Sequence, residues 1–223
     1  MSKNRVFVFD MDGVLVASEK TWIETESQFL VNIFGQEISE KIGDTVGMSV
    51  GDIYKKAVTF GAKFDKSEYD RLCLEAATRV YSKCPISDGV DELVAYLLSK
   101  DWILALLSSS PMMWIEQVVS RLSWRDKLST ILSLDDHPTF PVKPAPDGYT
   151  FLIKKFGAQV MDCVALEDSN PGIASAKSAG LFTIAYREHL PIGYMQMGAD
   201  VVAENMKDVI SILVSRSHKK ALR

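Results

Sequence analysis

At 223 residues the chain has room for one core plus a small inserted or appended unit, at about 150 residues per domain. It is 47% hydrophobic and 24% charged, which excludes collagen-like, coiled-coil and disordered classes. Lys plus Arg number 25 against 29 Asp plus Glu, a net charge of −4 that lacks the basic footprint of a nucleic-acid binder.

In chain order, Arg5 to Phe9 is a short apolar, β-rich run stopped by an acidic turn, and it reads as a buried strand. Ala17 to Lys83 has no strand signal. Ser18 is placed to cap a helix carrying Trp22, Ile23, Phe29, Leu30 and Ile33. Ser67 followed by Asp70 resembles a capping box for a helix with Tyr69, Leu72, Cys73, Ala76 and Val80 on one face. Val90, Leu93, Val94, Leu97 and Leu98 fall at helical spacing. Trp102 to Leu107 is the next strand, and Pro111 opens a helix bearing Ile115, Val118, Val119 and Leu122. Strands follow at Thr130 to Leu134, Cys163 to Leu166 and Leu181 to Ala185. A last helix carries Met206, Val209, Ile210, Leu213 and Val214. Strands alternating with helices predict an α/β fold, a parallel sheet with helices on both faces. The insertion after the first strand predicts a small helical domain at 17–83, against a core of 1–16 and 84–223.

The longest apolar run, Trp102 to Leu107, is far short of the ~18 residues that span a bilayer. The first residues lack the apolar core of a signal peptide. Cys73, Cys84 and Cys163 are widely spaced with no CxxC, and read as reduced thiols of a cytoplasmic protein. His137, His189 and His218 form no HExxH, so a zinc enzyme is not expected. Ser215 to Arg223 is basic and reads as a solvated, frayed tail.

Four strand ends carry chemistry. Asp10-Met11-Asp12-Gly13-Val14-Leu15 puts two carboxylates two residues apart at the carboxyl end of the first strand, where α/β folds place ligands. Such a pair repels unless a cation lies between them, and Mg²⁺ is the hard, oxygen-seeking candidate. Glu167-Asp168-Ser169 adds a second acidic pair at another strand end, although an Asp there is also an ordinary helix cap. Ser108-Ser109-Ser110 precedes a helix start and could hold an anion, or could be a plain capping turn. Lys143 lies in the proline-stiffened run Lys143-Pro144-Ala145-Pro146-Asp147, placed to neutralise a phosphoryl oxygen or a carboxylate pair, or else simply solvated. Together these supply what phosphoryl transfer needs, without a GxxxxGK[ST] nucleotide loop.

In this order the four elements resemble the motifs of the haloacid dehalogenase-like superfamily, over nearly the whole chain. The runs at 106–111, 142–147 and 164–180 resemble the subgroup of sugar-phosphate phosphatases and β-phosphoglucomutases. The resemblance implies a Rossmann-like core and a helical cap at 17–83. It implies that Asp10 is a nucleophile forming an aspartyl-phosphate and that Asp12 is the general acid and base. Mg²⁺ would be held by the Asp10 carboxylate, the Asp12 backbone carbonyl and Asp168, with Glu167 acting through water. Ser108, the Ser109 N–H and Lys143 would hold the phosphoryl oxygens. The cap would close over the substrate, with Trp22, Glu26, Met48 and Ser49 facing it.

The implied function is a Mg²⁺-dependent phosphatase of a small phosphorylated metabolite such as a sugar phosphate, acting as a monomer without nucleic-acid or membrane partners. A phosphosugar mutase is the alternative. β-Phosphoglucomutases carry a cap arginine just after a Gly-x-Ser stretch, whereas Gly47-Met48-Ser49 is followed here by Val50. They carry a lysine after the serines of the second motif, whereas this chain has Pro111. Both departures remove cations for a second phosphate and favour hydrolysis. Ala17 departs from the polar residue common at that hinge position. Phosphonoacetaldehyde hydrolases use a cap lysine, but Lys20, Lys55 and Lys56 lie in no matching context. A non-catalytic binding protein would be expected to have lost Asp10, Asp12, Lys143 or Asp168, and all four are present.

Overall fold

The computed structural model describes residues 4–43, 45, 48, 50–137, 139–190 and 193–221, with the side chains at 19–20, 23–24, 26–27 and 219–221 left out. Its centre is a six-stranded sheet in the order β3-β2-β1-β4-β5-β6, every neighbouring pair parallel. The strands are β1 (Arg5–Phe9), β2 (Trp102–Ser108), β3 (Leu128–Ser133), β4 (Cys163–Glu167), β5 (Phe182–Tyr186) and β6 (Val201–Ala203). The helices are α1 (Ser18–Phe34), α2 (Gln36–Ile42), α3 (Val50–Thr59), α4 (Lys66–Tyr81), α5 (Val90–Ser99), α6 (Met112–Val119), α7 (Asp147–Lys155), α8 (Asn170–Ser178) and α9 (Met206–Ala221).

A parallel sheet covered on both faces has no solvated side, so its strands read as continuous apolar runs. Phe7, Phe9, Leu104, Leu106, Val164 and Leu166 pack on one face against α5, α6 and α9. Val6, Val8, Ala105, Leu107 and Ala165 pack on the other against Tyr149 and Leu152 of α7 and Ala176 of α8. Phe7 and Phe9 are both fully buried, each worth about 1.5–3 kcal/mol on burial.

Between β1 and α5 the named elements among the described residues are all helices, α1 to α4. They share a small core in which the Tyr69 ring stands 5.4 Å from Phe34 and 5.2 Å from Tyr54. The segments leading into and out of these helices pair with each other: Val16 bridges Ile86, Ala17 N–H donates to the Pro85 carbonyl and Ser87 N–H to the Leu15 carbonyl.

Several local expectations are corrected. Ser18 is not the cap of α1 but its first residue; Ala17 holds the cap position without a side-chain bond, because the Ser18 hydroxyl is bonded to Asp12. Helix α4 begins one residue before Ser67, capped by Asp65, which accepts from Glu68 N–H; Asp70 pairs with Lys66 instead of completing a box. Pro111 caps α6 from outside rather than filling its first turn. The Ser215–Arg223 run is no frayed tail through residue 221: α9 continues, and Arg216 lies 3.9 Å over the Phe182 ring while donating to the Met161 carbonyl. All three cysteines are buried, and no helix among the described residues is long and apolar enough to cross a membrane.

Candidate active site

The site is assembled by strand register. Phe9 of β1 stands beside Leu166 of β4, and the Asp10 N–H continues the ladder by donating to the Leu166 carbonyl. The next residue on each strand is therefore acidic, Asp10 against Glu167. After Asp10 the chain turns sharply, with the N–H groups of Leu15 and Val16 both returning to the Met11 carbonyl. Gly13 makes this turn at φ 69°, and a Cβ there would lie 1.9 Å from Asp168 Oδ2. Glycine is needed both for the left-handed backbone and for the approach of the carboxylate.

Asp10, Glu167 and Asp168 are all buried, and their ligand atoms lie within 4.8 Å of one another. Ser169, not Asp168, caps α8 by accepting from Gly172 N–H, which leaves Asp168 to the cluster. A Cβ at Gly172 would fall 1.8 Å from Glu167 Oε2. Lys143 Nζ donates to Asp10 Oδ1, stands 2.7 Å from Glu167 Oε1 and reaches the Leu107 carbonyl at 3.3 Å. Tyr149 of α7 also donates to Glu167 Oε1. Burial would lower the Lys143 pKa, but Asp10 and Glu167 outweigh it and hold the ammonium above its ordinary range. Burial pushes the Asp10 carboxyl up to about 8 against the pull of Lys143, with Glu167 and Asp12 adding to the rise. Two of the three buried carboxylates thus share one lysine, and Glu167 Oε2 has no hydrogen-bond partner among the described residues. That hard-oxygen donor set fits a metal ion.

The Asp12 carboxylate stands apart from this cluster, held by hydroxyls. Ser18 (2.6 Å) and Tyr81 (2.8 Å) donate to Oδ1, and Ser110 (2.8 Å) donates to Oδ2. Ser108 ends β2 almost fully buried, accepting from Ser110 N–H, and Ser109 is exposed beside it.

A cleft of about 510 Å³ joins these groups. Asp10, Asp12, Ser108, Ser109, Lys143 and Asp168 line its floor; Glu167 lies behind Lys143. The segment between β1 and α5 lines the cleft with the apolar Phe29, Met48, Ile53 and Tyr69 and with the polar Thr45 and Asp52. Trp22 also lines the cleft, half-buried, with its indole N–H donated to Tyr81 at 3.1 Å. Ser49 and the Glu26 side chain lie outside the described residues. Among the described lining residues Lys143 is the one cation, against Asp10, Asp12, Asp52, Asp135 and Asp168. Lys55 does not line the cleft; it is exposed and paired with Asp52. Sequence reasoning missed Tyr81, Tyr149 and the role of Ser110, whose partners are 69, 18 and 98 residues distant.

Comparison with known proteins matches residues 7–186 to a family model described as haloacid dehalogenase-like hydrolase. The chain is 29% identical over 182 residues to hexitol phosphatase B of Escherichia coli (strain K12), covering 79% of this chain and 81% of that protein. It is 25% identical over 219 residues to β-phosphoglucomutase of Bacillus subtilis (strain 168), covering 92% and 91%. A solved hydrolase from Pseudomonas syringae superposes with a TM-score of 0.73 at 22% identity, covering 95% and 99%.

Proposed function

The chain belongs to the haloacid dehalogenase-like hydrolases, and from that membership we propose that it is a Mg²⁺-dependent phosphatase of a small phosphorylated metabolite, a sugar phosphate in particular. The observation that carries this reading is the buried Asp10–Glu167–Asp168 cluster with Lys143, facing the same cleft as the hydroxyl-held Asp12. The similarity to a hexitol phosphatase supports the substrate class.

In this reading Asp10 attacks phosphorus in line and forms an aspartyl-phosphate while the ester P–O bond breaks. Asp12 gives its proton to the departing oxygen, then takes one from the water that attacks phosphorus and frees Asp10. Lys143 and the Ser108–Ser109 turn hold the non-transferring oxygens. Asp10 and Asp168, the Asp12 backbone carbonyl and, through water, Glu167 would hold Mg²⁺, which when bound offsets the charge shared by phosphate and carboxylates. Residues 17–83 act as a cap on the core formed by 1–16 and 84–223, and exclude bulk water.

A phosphosugar mutase is the second reading, favoured by the similarity to β-phosphoglucomutase. A second phosphate needs cations, and the described cleft lining offers Lys143 alone, already committed to the cluster. Phosphate release from a panel of sugar phosphates, glycolate phosphate and nucleoside monophosphates, with and without Mg²⁺, decides between them. Release that needs the metal and is lost in Asp10→Asn is the expected result. Turnover that requires a bisphosphorylated sugar and releases no phosphate would replace hydrolase by mutase.

A further inference from the structure

Asp12 is gripped by more donors than a solvated acid needs, and the partners differ in kind. The chain of bonds starts at Trp22. Its indole nitrogen can only donate, and it donates to the Tyr81 hydroxyl at 3.1 Å. That bond occupies an acceptor site on the phenol oxygen, so the phenol proton points to Asp12 Oδ1 at 2.8 Å. Ser18 donates to the same oxygen at 2.6 Å. Oδ1 therefore receives two hydrogen bonds, both from the helical segment: one from the first residue of α1, one from the last of α4. Among the described residues Oδ2 meets only the Ser110 hydroxyl, and a serine hydroxyl can rotate from donor to acceptor.

Tyr81 itself is held on every side. It is 1% exposed, its ring stands 5.9 Å from both Trp22 and Trp114, and its backbone carbonyl accepts from Arg121 at 2.6 Å. The ring makes these aromatic contacts, while the hydroxyl is bonded to Trp22 and Asp12.

We infer that Tyr81 is the positioning residue for proton transfer, keeping Asp12 Oδ1 a pure acceptor and so assigning the transferable proton to Oδ2. The inference rests on the phosphatase reading above. As Asp10 bonds to phosphorus, the pair of electrons in the ester P–O bond leaves with the alcohol oxygen, and the proton on Asp12 Oδ2 passes to it. The carboxylate so formed takes a proton from water in the second half of the reaction, which restores the starting enzyme and yields alcohol and inorganic phosphate. Without the Tyr81 hydroxyl the carboxyl can rotate or carry its proton on Oδ1, and the alcohol leaves unprotonated more often.

A purely structural tyrosine would affect all substrates alike, whereas a positioning role depends on the leaving group. The test measures kcat and KM of the full chain with Mg²⁺ for a primary alkyl phosphate and for p-nitrophenyl phosphate, whose leaving oxygen needs no proton. Tyr81→Phe keeps the ring, and is expected to lower kcat for the alkyl ester at least about tenfold more than for the aryl ester, within the range general acids supply. Trp22→Phe, which removes the orienting N–H donor together with part of the ring packed on Tyr81 and Trp114, is expected to shift the ratio in the same direction by less, and decides the matter if Tyr81→Phe does not fold. Equal losses on both esters, or none, overturn the assignment while leaving the phosphatase standing. Turnover that persists in Asp10→Asn overturns the phosphatase reading and this assignment with it.

Discussion

Lys143 is the residue on which the buried charges depend. It pairs with Glu167 and with Asp10, whose carboxyl burial alone would force to take up a proton. Lys143→Met is expected to destabilise the metal-free protein by about 3 kcal/mol, the cost of stranding a buried charge, read from urea unfolding. Gly172 acts on the same cluster from behind. A Cβ there collides with Glu167 Oε2, so Gly172→Ala is expected to displace that carboxylate and abolish any rise in melting temperature on adding Mg²⁺, while leaving the far-UV spectrum unchanged. At this scale Asp10, Asp12, Lys143, Glu167 and Asp168 were legible in the sequence, because the four acids end or follow recognisable apolar runs and Lys143 sits in a proline-stiffened one. Tyr81 was not, since a tyrosine at helical spacing looks like any core residue until the fold brings it to Asp12.

Among the elements, the paired linkers 14–17 and 84–87 join the inserted helices to the sheet. Ser87 donates to the Val14 carbonyl across them at 2.5 Å, so its single proton is committed and the 2.8 Å contact with His189 is a donation from His189 Nε2–H. Burial pushes the His189 pKa below its ordinary 6.5, against the opposing pull of Glu188 and Asp88. The unfolded chain therefore binds this proton at a higher pH than the folded one. Its contribution is fully present above 6.5 and is lost as pH falls from there through the lower folded value. Urea midpoints of the wild type are expected to fall between about pH 7.5 and 5.5, and those of His189→Gln to fall less. Long apolar elements were easy to read, but α7, α8 and β6 were not. Helix α8 is built of Ala, Ser and Gly, which give little periodic signal, and β6 is three residues at the sheet edge with one exposed.

For the molecule as a whole, strand order decides where the site lies. The order β3-β2-β1-β4-β5-β6 reverses direction between β1 and β4, and a crevice opens at the carboxyl ends of the strands at such a point. Asp10 and Asp168 come from the two sides of that reversal, 158 residues apart in sequence. In the proposed reading a cation held by both would bind only the folded chain and would stabilise it by mass action. Mg²⁺ at about a hundredfold excess over its Kd is expected to add about 2.7 kcal/mol, a rise in melting temperature of about 5–10 °C for a chain this size. Asp168→Asn should remove most of that rise in a calorimetric scan, and an unchanged shift would place the ion elsewhere.

The sequence by itself determined the α/β alternation, the inserted helices and the acidic strand ends, because apolar period and turn chemistry are local and survive without neighbours. Only the tertiary structure decided which carboxylates face one another, which of them Lys143 neutralises, and that two hydroxyls from opposite ends of the inserted segment meet on one oxygen of Asp12. Apart from Ser18, six residues from Asp12, those are contacts across tens of residues, fixed by strand register and helix packing, and no local pattern encodes them.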